Sequence, residues 1–183
     1  MTYYGSKELA ASFRTVRNNT IKIAEEIAED KYDFKPSPES RSVAQTLVHI
    51  AVATRVQQVI HFKEARTTLV GFDFFGLMGA IIAEQDKPRT KAEIIELLKT
   101  EGEGFATQLE GCSEEFLGQT VQYPEGMVPP TKSRFEMLMA PKEHEMHHRG
   151  QLMVMQRMIG ITPHLTRQMQ ERIASMQAAA QKA

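Results

Sequence analysis

The sequence predicts an all-α fold: a four-helix bundle with long connections and an extra C-terminal helix. Apolar residues recur at helical spacing through several long segments. The 11 glycines and 8 prolines of the 183-residue chain cluster between those segments. No stretch alternates with period two for long, Thr120 to Tyr123 being the one short strand candidate. The length suits a single domain spanning residues 1–183, with a core over about 6–160 and a tail helix over about 162–180.

The first helix is expected from Ser6, as N-cap, to Asp30, because Leu9, Phe13, Val16, Ile23 and Ile27 share one face. Phe34-Lys35-Pro36-Ser37-Pro38 then enforces extended chain. A second helix runs from Ser42 to Lys63, with Val52, Val56, Val59 and Ile60 inward. A third opens at Thr90, where Glu93 completes a capping box, and carries Ile94, Leu98, Phe105 and Leu109. The fourth starts near Ser133, with Glu136 as its capping partner, and stops at Gly160. Thr162-Pro163 reads as N-cap plus first-turn proline of the tail helix, whose stripe is Leu165, Met169, Ile173 and Met176.

The 66–90 and 111–132 connections exceed the roughly two to eight residues usual between bundle helices, so crossover wiring is open to this chain. The first holds a helical insert around 73–85. Its Phe72, Phe74, Phe75, Leu77, Met78, Ile81 and Ile82 suit a lid, a subunit interface or extra core.

Charge and cysteine content exclude several classes of function. With 22 basic and 23 acidic side chains the net charge is −1, which removes the footprint of non-specific nucleic-acid binding. One cysteine, Cys112, excludes an intramolecular disulfide and any CxxC motif; with no basic neighbour in sequence it is expected to be unreactive. The weakly charged run Leu69 to Ala83 is too short to span a membrane. Met1 to Lys7 lacks the apolar run of a signal peptide. A soluble cytoplasmic protein is the expectation.

Chemistry concentrates in the histidines His49, His61, His144, His147, His148 and His164. Each helical residue turns by about 100°, so His144 and His148 lie about 40° apart on one face. Leu152, Met155 and Ile159 share that side, so the pair faces inward, while His147 sits at the edge of the stripe. Two inward imidazoles at i and i+4 suit a divalent metal. His49 shares its face with Val52, Ala53, Val56 and Ile60 and is the candidate third ligand; a satisfied core histidine is the plainer alternative. His61, near a helix end, and His164, opening the tail helix, are expected on the surface.

Two segments carry a family resemblance. Ser42-Val43-Ala44-Gln45-Thr46-Leu47-Val48-His49-Ile50 is followed about a hundred residues later by His144-Glu145-Met146-His147-His148-Arg149-Gly150-Gln151-Leu152. Together with Phe34 to Pro38 they resemble the DinB/YfiT-like family over roughly Ser6 to Gly160. The resemblance implies a four-helix bundle, often dimeric, with a divalent metal on three histidines, which at matching positions are His49, His144 and His148. Pro141 departs from a smooth fourth helix and is expected to kink it or mark a restart.

Three histidines without a fourth protein ligand leave a coordination position open, the pattern of catalytic rather than structural zinc. Such a metal lowers the pKa of bound water or holds a thiolate or carbonyl oxygen. Zn²⁺ or Ni²⁺ is the expected metal, although iron also accepts imidazole and ligand type does not single one out. Gln45 and Gln151 face the same way as the imidazoles and are candidates to orient ligands or substrate. Glu145 points towards a neighbouring helix or solvent, and no general base is evident.

Three functions follow. One is a metal-dependent enzyme acting on a small molecule; for this the resemblance implies transfer or isomerisation with a low-molecular-weight thiol, or hydrolysis. The others are a metal-binding or sensing bundle without turnover, and a structural bundle. The eleven methionines, at helical spacing among Leu and Ile, read as core filler. The tail stripe needs cover from its own bundle or a second subunit, and a homodimer is expected.

Overall fold

The computed structural model describes residues 4–181. Residues 1–3, where the segment read for a signal peptide begins, lie outside them. Four long helices form the bundle: α1 (Ser6–Glu26), α2 (Val43–Ala53), α5 (Lys91–Glu110) and α7 (Arg134–Met158). The connections carry α3 (Arg55–Gln57), a π-helical turn Gln58–Lys63, α4 (Phe74–Gln85) and α6 (Glu114–Gly118). Strand β1 (Thr120–Gln122) pairs antiparallel with β2 (Thr131–Ser133), and α8 (His164–Ala180) follows the bundle. Within the bundle both α1 and α2 pack on α5 and α7, so these two helices, consecutive in sequence, are not principal neighbours; α2 also packs on α4. No helix among the described residues is long and apolar enough to cross a membrane.

The expected inward residues of α1 and α5 are all buried: Leu9, Phe13, Val16, Ile23 and Ile27, and Ile94, Leu98, Phe105 and Leu109. The ends of α1 differ from expectation. Gly5, not Ser6, is its N-cap, and Glu8 accepts from the Gly5 amide at 2.9 Å. The helix stops at Glu26 rather than Asp30. There Lys91 Nζ takes the carbonyls of Glu25 and Ile27, both at 2.7 Å, and Tyr32 Oη donates to that of Ala24.

The predicted single helix over Ser42–Lys63 is also corrected. It ends at Ala53, and after one short turn the chain widens into the π-helical segment. Widening rotates every later residue off the 100° projection. Val59 is consequently only partly buried, while Ile60 and His61 turn fully inward; Val56, in the short turn before the widening, is partly buried too. The insert α4 packs on α2 with Ile81 buried and Leu77 against the core, yet Phe75 is 88% exposed.

Ser133 and Glu136 form the expected capping box, and α7 then passes through Pro141 with no restart. Gly160, at φ +84°, ends that passage. The tail helix is capped by Pro163 rather than Thr162, because Pro163 is still extended (ψ 142°) and its carbonyl accepts from Thr166 and Arg167. Among the described residues only the start of α8 is tied down, by His164 to Asn19 and Arg167 to Glu26. Met169, Ile173 and Met176 are exposed, as are Met146 and Met158, so the methionines are core filler only in part.

At the centre, Arg17 of α1 bonds all three other bundle helices. Its Nε reaches the Glu145 carboxylate of α7 at 3.0 and 3.1 Å, Nη1 the Leu98 carbonyl of α5 at 2.8 Å, and Nη2 the Ile50 carbonyl of α2 at 3.2 Å. Gly102 leaves room for this: a Cβ there would lie 2.7 Å from Arg17 Cγ. A charge so placed is destabilising once its partner is removed. Glu145→Leu is therefore expected to cost about 3–5 kcal/mol in urea unfolding. A loss below about 1 kcal/mol, the net value of one ordinary hydrogen bond, would mean that the two carbonyls satisfy Arg17 alone.

Candidate metal centre

The Arg17 contact sets the rotation of α7. With Glu145 turned to α1, His144 and His148 fall about 100° and 60° to one side of it, facing α2. There they meet His49. His144 Nε2 stands 3.1 Å from His49 Nε2 and 3.0 Å from His148 Nε2. One ligand nitrogen from each ring lies within 4.8 Å of the other two.

Proton placement shows why this cluster is unusual. Gln151 Oε1 lies 2.8 Å from His148 Nδ1, and Gln151 Nε2 lies 3.2 Å from His147 Nε2. The amide therefore accepts from His148 Nδ1–H, which leaves His148 Nε2 bare. If His144 Nε2 carries a proton, it donates to His148 and has no lone pair for His49. If it is bare, two lone pairs oppose each other at 3.0 Å. Neutral imidazoles meet both contacts only by dividing one N–H between two acceptors, whereas a cation shared by the three nitrogens would engage each lone pair in full.

That cation is not supplied by protonating the rings. Burial first, then the Arg41 charge and the neighbouring imidazoles, lowers His49 to about 3. Burial, then His148, His147 and Arg41, lowers His144 to about 4. His148 is shifted down as well, by burial first, against the opposing Gln151 bond. The donor set is thus neutral near pH 7, as metal ligands must be. His49 Nδ1 is buried without a partner among the described residues, so packing and its Nε2 contacts orient that ring.

Of the two candidate orienting amides, Gln151 reaches the cluster and Gln45 does not. Gln45 is the third residue of α2; its Oε1 accepts from the Ser42 amide at 3.0 Å, and its Nε2 donates to Asp86 at 3.0 Å. Glu145 is held by Arg17. His61 and His164, expected on the surface, are buried. The π-helical turn rotates His61 inward, and the bond to Asn19 packs His164 against α1. Burial raises the Cys112 thiol, although Arg134, distant in sequence, opposes this, and its Sγ donates to the Gln108 carbonyl at 3.3 Å.

Two cavities adjoin the centre. One of about 270 Å³ borders His49 and His144, and its other walls include Val56, Gln57, Phe74, Met78, Ile81 and Pro141. The other, of about 640 Å³, reaches the centre only through Gln151 and is lined also by Arg41, Thr46 and Gln85, with no imidazole in its walls. Larger space near the β-hairpin, about 860 Å³, contains none of the three imidazoles. Arg41 and Gln57 escaped the sequence reading because one precedes a helix cap and the other sits where helical periodicity fails.

The sequence model of the DinB superfamily matches residues 12–152, a span that contains all three imidazoles. The chain belongs to the DinB superfamily. A Bacillus subtilis (strain 168) relative, "Uncharacterized protein YjoA", is 26% identical over 157 residues, covering 86% of this chain and 92% of that one. The crystal structure of a DinB-like protein, YjoA from Bacillus subtilis, superposes with a TM-score of 0.61 at 24% identity. That match covers 85% of this chain and 94% of the other, and what it shows is the shared fold. The helix α8 lies beyond the DinB match.

The lowered imidazoles fix a direction for pH dependence. Between the ordinary histidine value of 6.5 and about 4, the unfolded chain binds protons that folded His49 and His144 refuse. Stability is therefore full above about pH 6.5 and falls as pH drops through that window. Metal-free protein is expected to show a urea midpoint that decreases steadily from pH 7 to 4.5, with a shallower decrease for His49→Leu. A flat midpoint would mean that the rings are not held neutral.

Proposed function

We propose that this DinB protein holds one divalent metal, Zn²⁺ or Ni²⁺, on His49, His144 and His148 and acts on a small molecule at the open position. The observation that carries this reading is the meeting of three Nε2 atoms whose contacts neutral rings meet only through one divided N–H. When bound, such a metal supplies Lewis acidity, which polarises an oxygen or lowers the pKa of a thiol or water. Gln151 fixes the proton of His148 on Nδ1 and so keeps its Nε2 a donor of electrons. The positive field of Arg41 favours an anionic group beside the imidazoles.

Transfer or isomerisation with a low-molecular-weight thiol is the preferred reaction class. Hydrolysis is less well served: of the two carboxylates that flank His144, Glu145 is committed to Arg17 and Glu143 is exposed. That same commitment favours, as a second reading, metal and ligand binding without turnover. We place the protein in the cytoplasm, consistent with its single, free cysteine. A homodimer through α8 is supported by the exposed row Met169, Ile173 and Met176.

Elemental analysis of tag-free protein purified without added metal is expected to give about one divalent ion per chain, lost in His148→Ala. Equal content in both proteins, or none in either with unchanged affinity for added Zn²⁺, would remove the metal reading. Light scattering at micromolar concentration is expected to report twice the chain mass of 20.7 kDa, and Ile173→Lys to report the single chain. A wild-type mass of one chain would refute the dimer.

A further inference from the structure

Gln57 lines the smaller cavity beside His49 and His144, and a chain of buried hydrogen bonds fixes the direction of its amide. The chain begins at Arg134, which is 1% exposed and has only donors to offer. Its Nη1 lies 2.8 Å from His61 Nδ1, so that nitrogen accepts. A neutral imidazole accepting at Nδ1 carries its proton on Nε2. His61 Nε2 lies 2.9 Å from Gln57 Oε1, which must therefore accept. Burial first, and then the Arg134 charge, keeps His61 neutral by lowering it to about 4. The Gln57 NH₂ group is left over: it makes no hydrogen bond among the described residues, and its side chain is half-buried at the cavity wall.

This arrangement is costly. Arg134 has no carboxylate partner among the described residues; Gln119 Oε1 at 3.0 Å, the Ala65 carbonyl at 3.3 Å and the Phe116 ring at 4.5 Å complete its surroundings. A buried cation without a counter-ion is destabilising, and apolar packing alone does not require one. Ala65 itself sits at φ +47°, a left-handed conformation unusual for a residue with a Cβ. His61 belongs to the π-helical turn, a distortion that recurs at functional sites. The outcome of all three is one oriented amide donor in a cavity otherwise walled by apolar groups and two imidazoles.

We propose that Gln57 donates a hydrogen bond from its side-chain NH₂ to the acceptor oxygen of a ligand whose apolar group fills this cavity, with His61 and Arg134 as positioning residues. The ligand class is an uncharged carbonyl compound, a ketone, ester or amide carrying a small alkyl or aryl group. Apolar walls disfavour a charge, and an oriented donor selects an acceptor. An engineered apolar cavity of about 150 Å³ holds benzene, so about 270 Å³ accommodates a ring with a few further atoms. The assignment rests on the metal reading only for the Lewis acid it places beside that oxygen.

Acetophenone and ethylbenzene, which differ in the carbonyl oxygen, are the probes, each titrated into isolated and chelator-treated protein and followed by NMR. Acetophenone is expected to bind about fivefold more tightly, the ratio one neutral hydrogen bond gives. It should shift the Gln57 side-chain NH₂ signal, which ethylbenzene leaves in place. Gln57→Leu is expected to bring the ratio to about one while ethylbenzene still binds. In unsubstituted protein at pH 7, ¹⁵N spectra are expected to show His61 as the Nε2–H tautomer. A wild-type ratio near one, a ratio unchanged by Gln57→Leu, absence of binding by either probe, or His61 as the Nδ1–H tautomer or imidazolium would each overturn the proposal. Chelator-treated protein gives all of these readouts, so failure of the metal reading leaves them intact and is seen separately in the elemental analysis.

Discussion

Arg17 is the group on which the bundle's geometry depends. A guanidinium has donors pointing in several directions within one plane, and here they reach a carboxylate on α7 and main-chain carbonyls on α5 and α2. Apolar packing is non-directional and tolerates helices that rotate about their axes. Bonds from one buried cation do not. With Glu145 turned towards α1, the neighbouring His144 and His148 have one direction left, and the bonded Ile50 carbonyl places His49 opposite them. Gly102 belongs to the same device, since any side chain there would displace the Arg17 stem.

Two groups of buried histidines in this protein follow opposite rules. Around His61 every donor meets an acceptor: guanidinium to Nδ1, Nε2–H to amide oxygen. The protons are fully assigned, and the group is complete except at its last amide. Around His144 neutral rings have one N–H to divide between two contacts, and the low basicity produced by burial keeps extra protons away. A complete network points outward to a ligand through its one free donor. One short of protons suits a cation. The two lie at one cavity, which Gln57, His49 and His144 share.

Helical periodicity made most of the fold legible. The stripes of α1 and α5 and the capping boxes at Thr90 and Ser133 are local signals, each contained in a few residues. The inward faces of His49, His144 and His148 were readable for the same reason. The Arg17–Glu145 pair was not, because its members are 128 residues apart and each looks like an ordinary surface charge. His61 was misplaced because a π-helical turn breaks the 100° rule on which the projection rests. Gln45 was misassigned for a subtler reason. It shares a face with His49, but as the third residue of the helix its side chain is drawn back to the Ser42 amide.

Pro141 divides α7 between these two groups of buried side chains. Arg134 lies before it, His144 and His148 lie after it, and the ring itself walls the shared cavity. A proline gives no N–H to the carbonyl four residues back, so the two stretches are joined by one hydrogen bond fewer than a continuous helix would have. Local opening follows such seams. Amide exchange should therefore divide α7 into two cooperative segments, a protected one around Glu145 and a more readily opened one from Arg134 to Ala140. Arg134, which precedes the proline, and His144 and His148, which follow it, therefore sit on opposite sides of that missing bond.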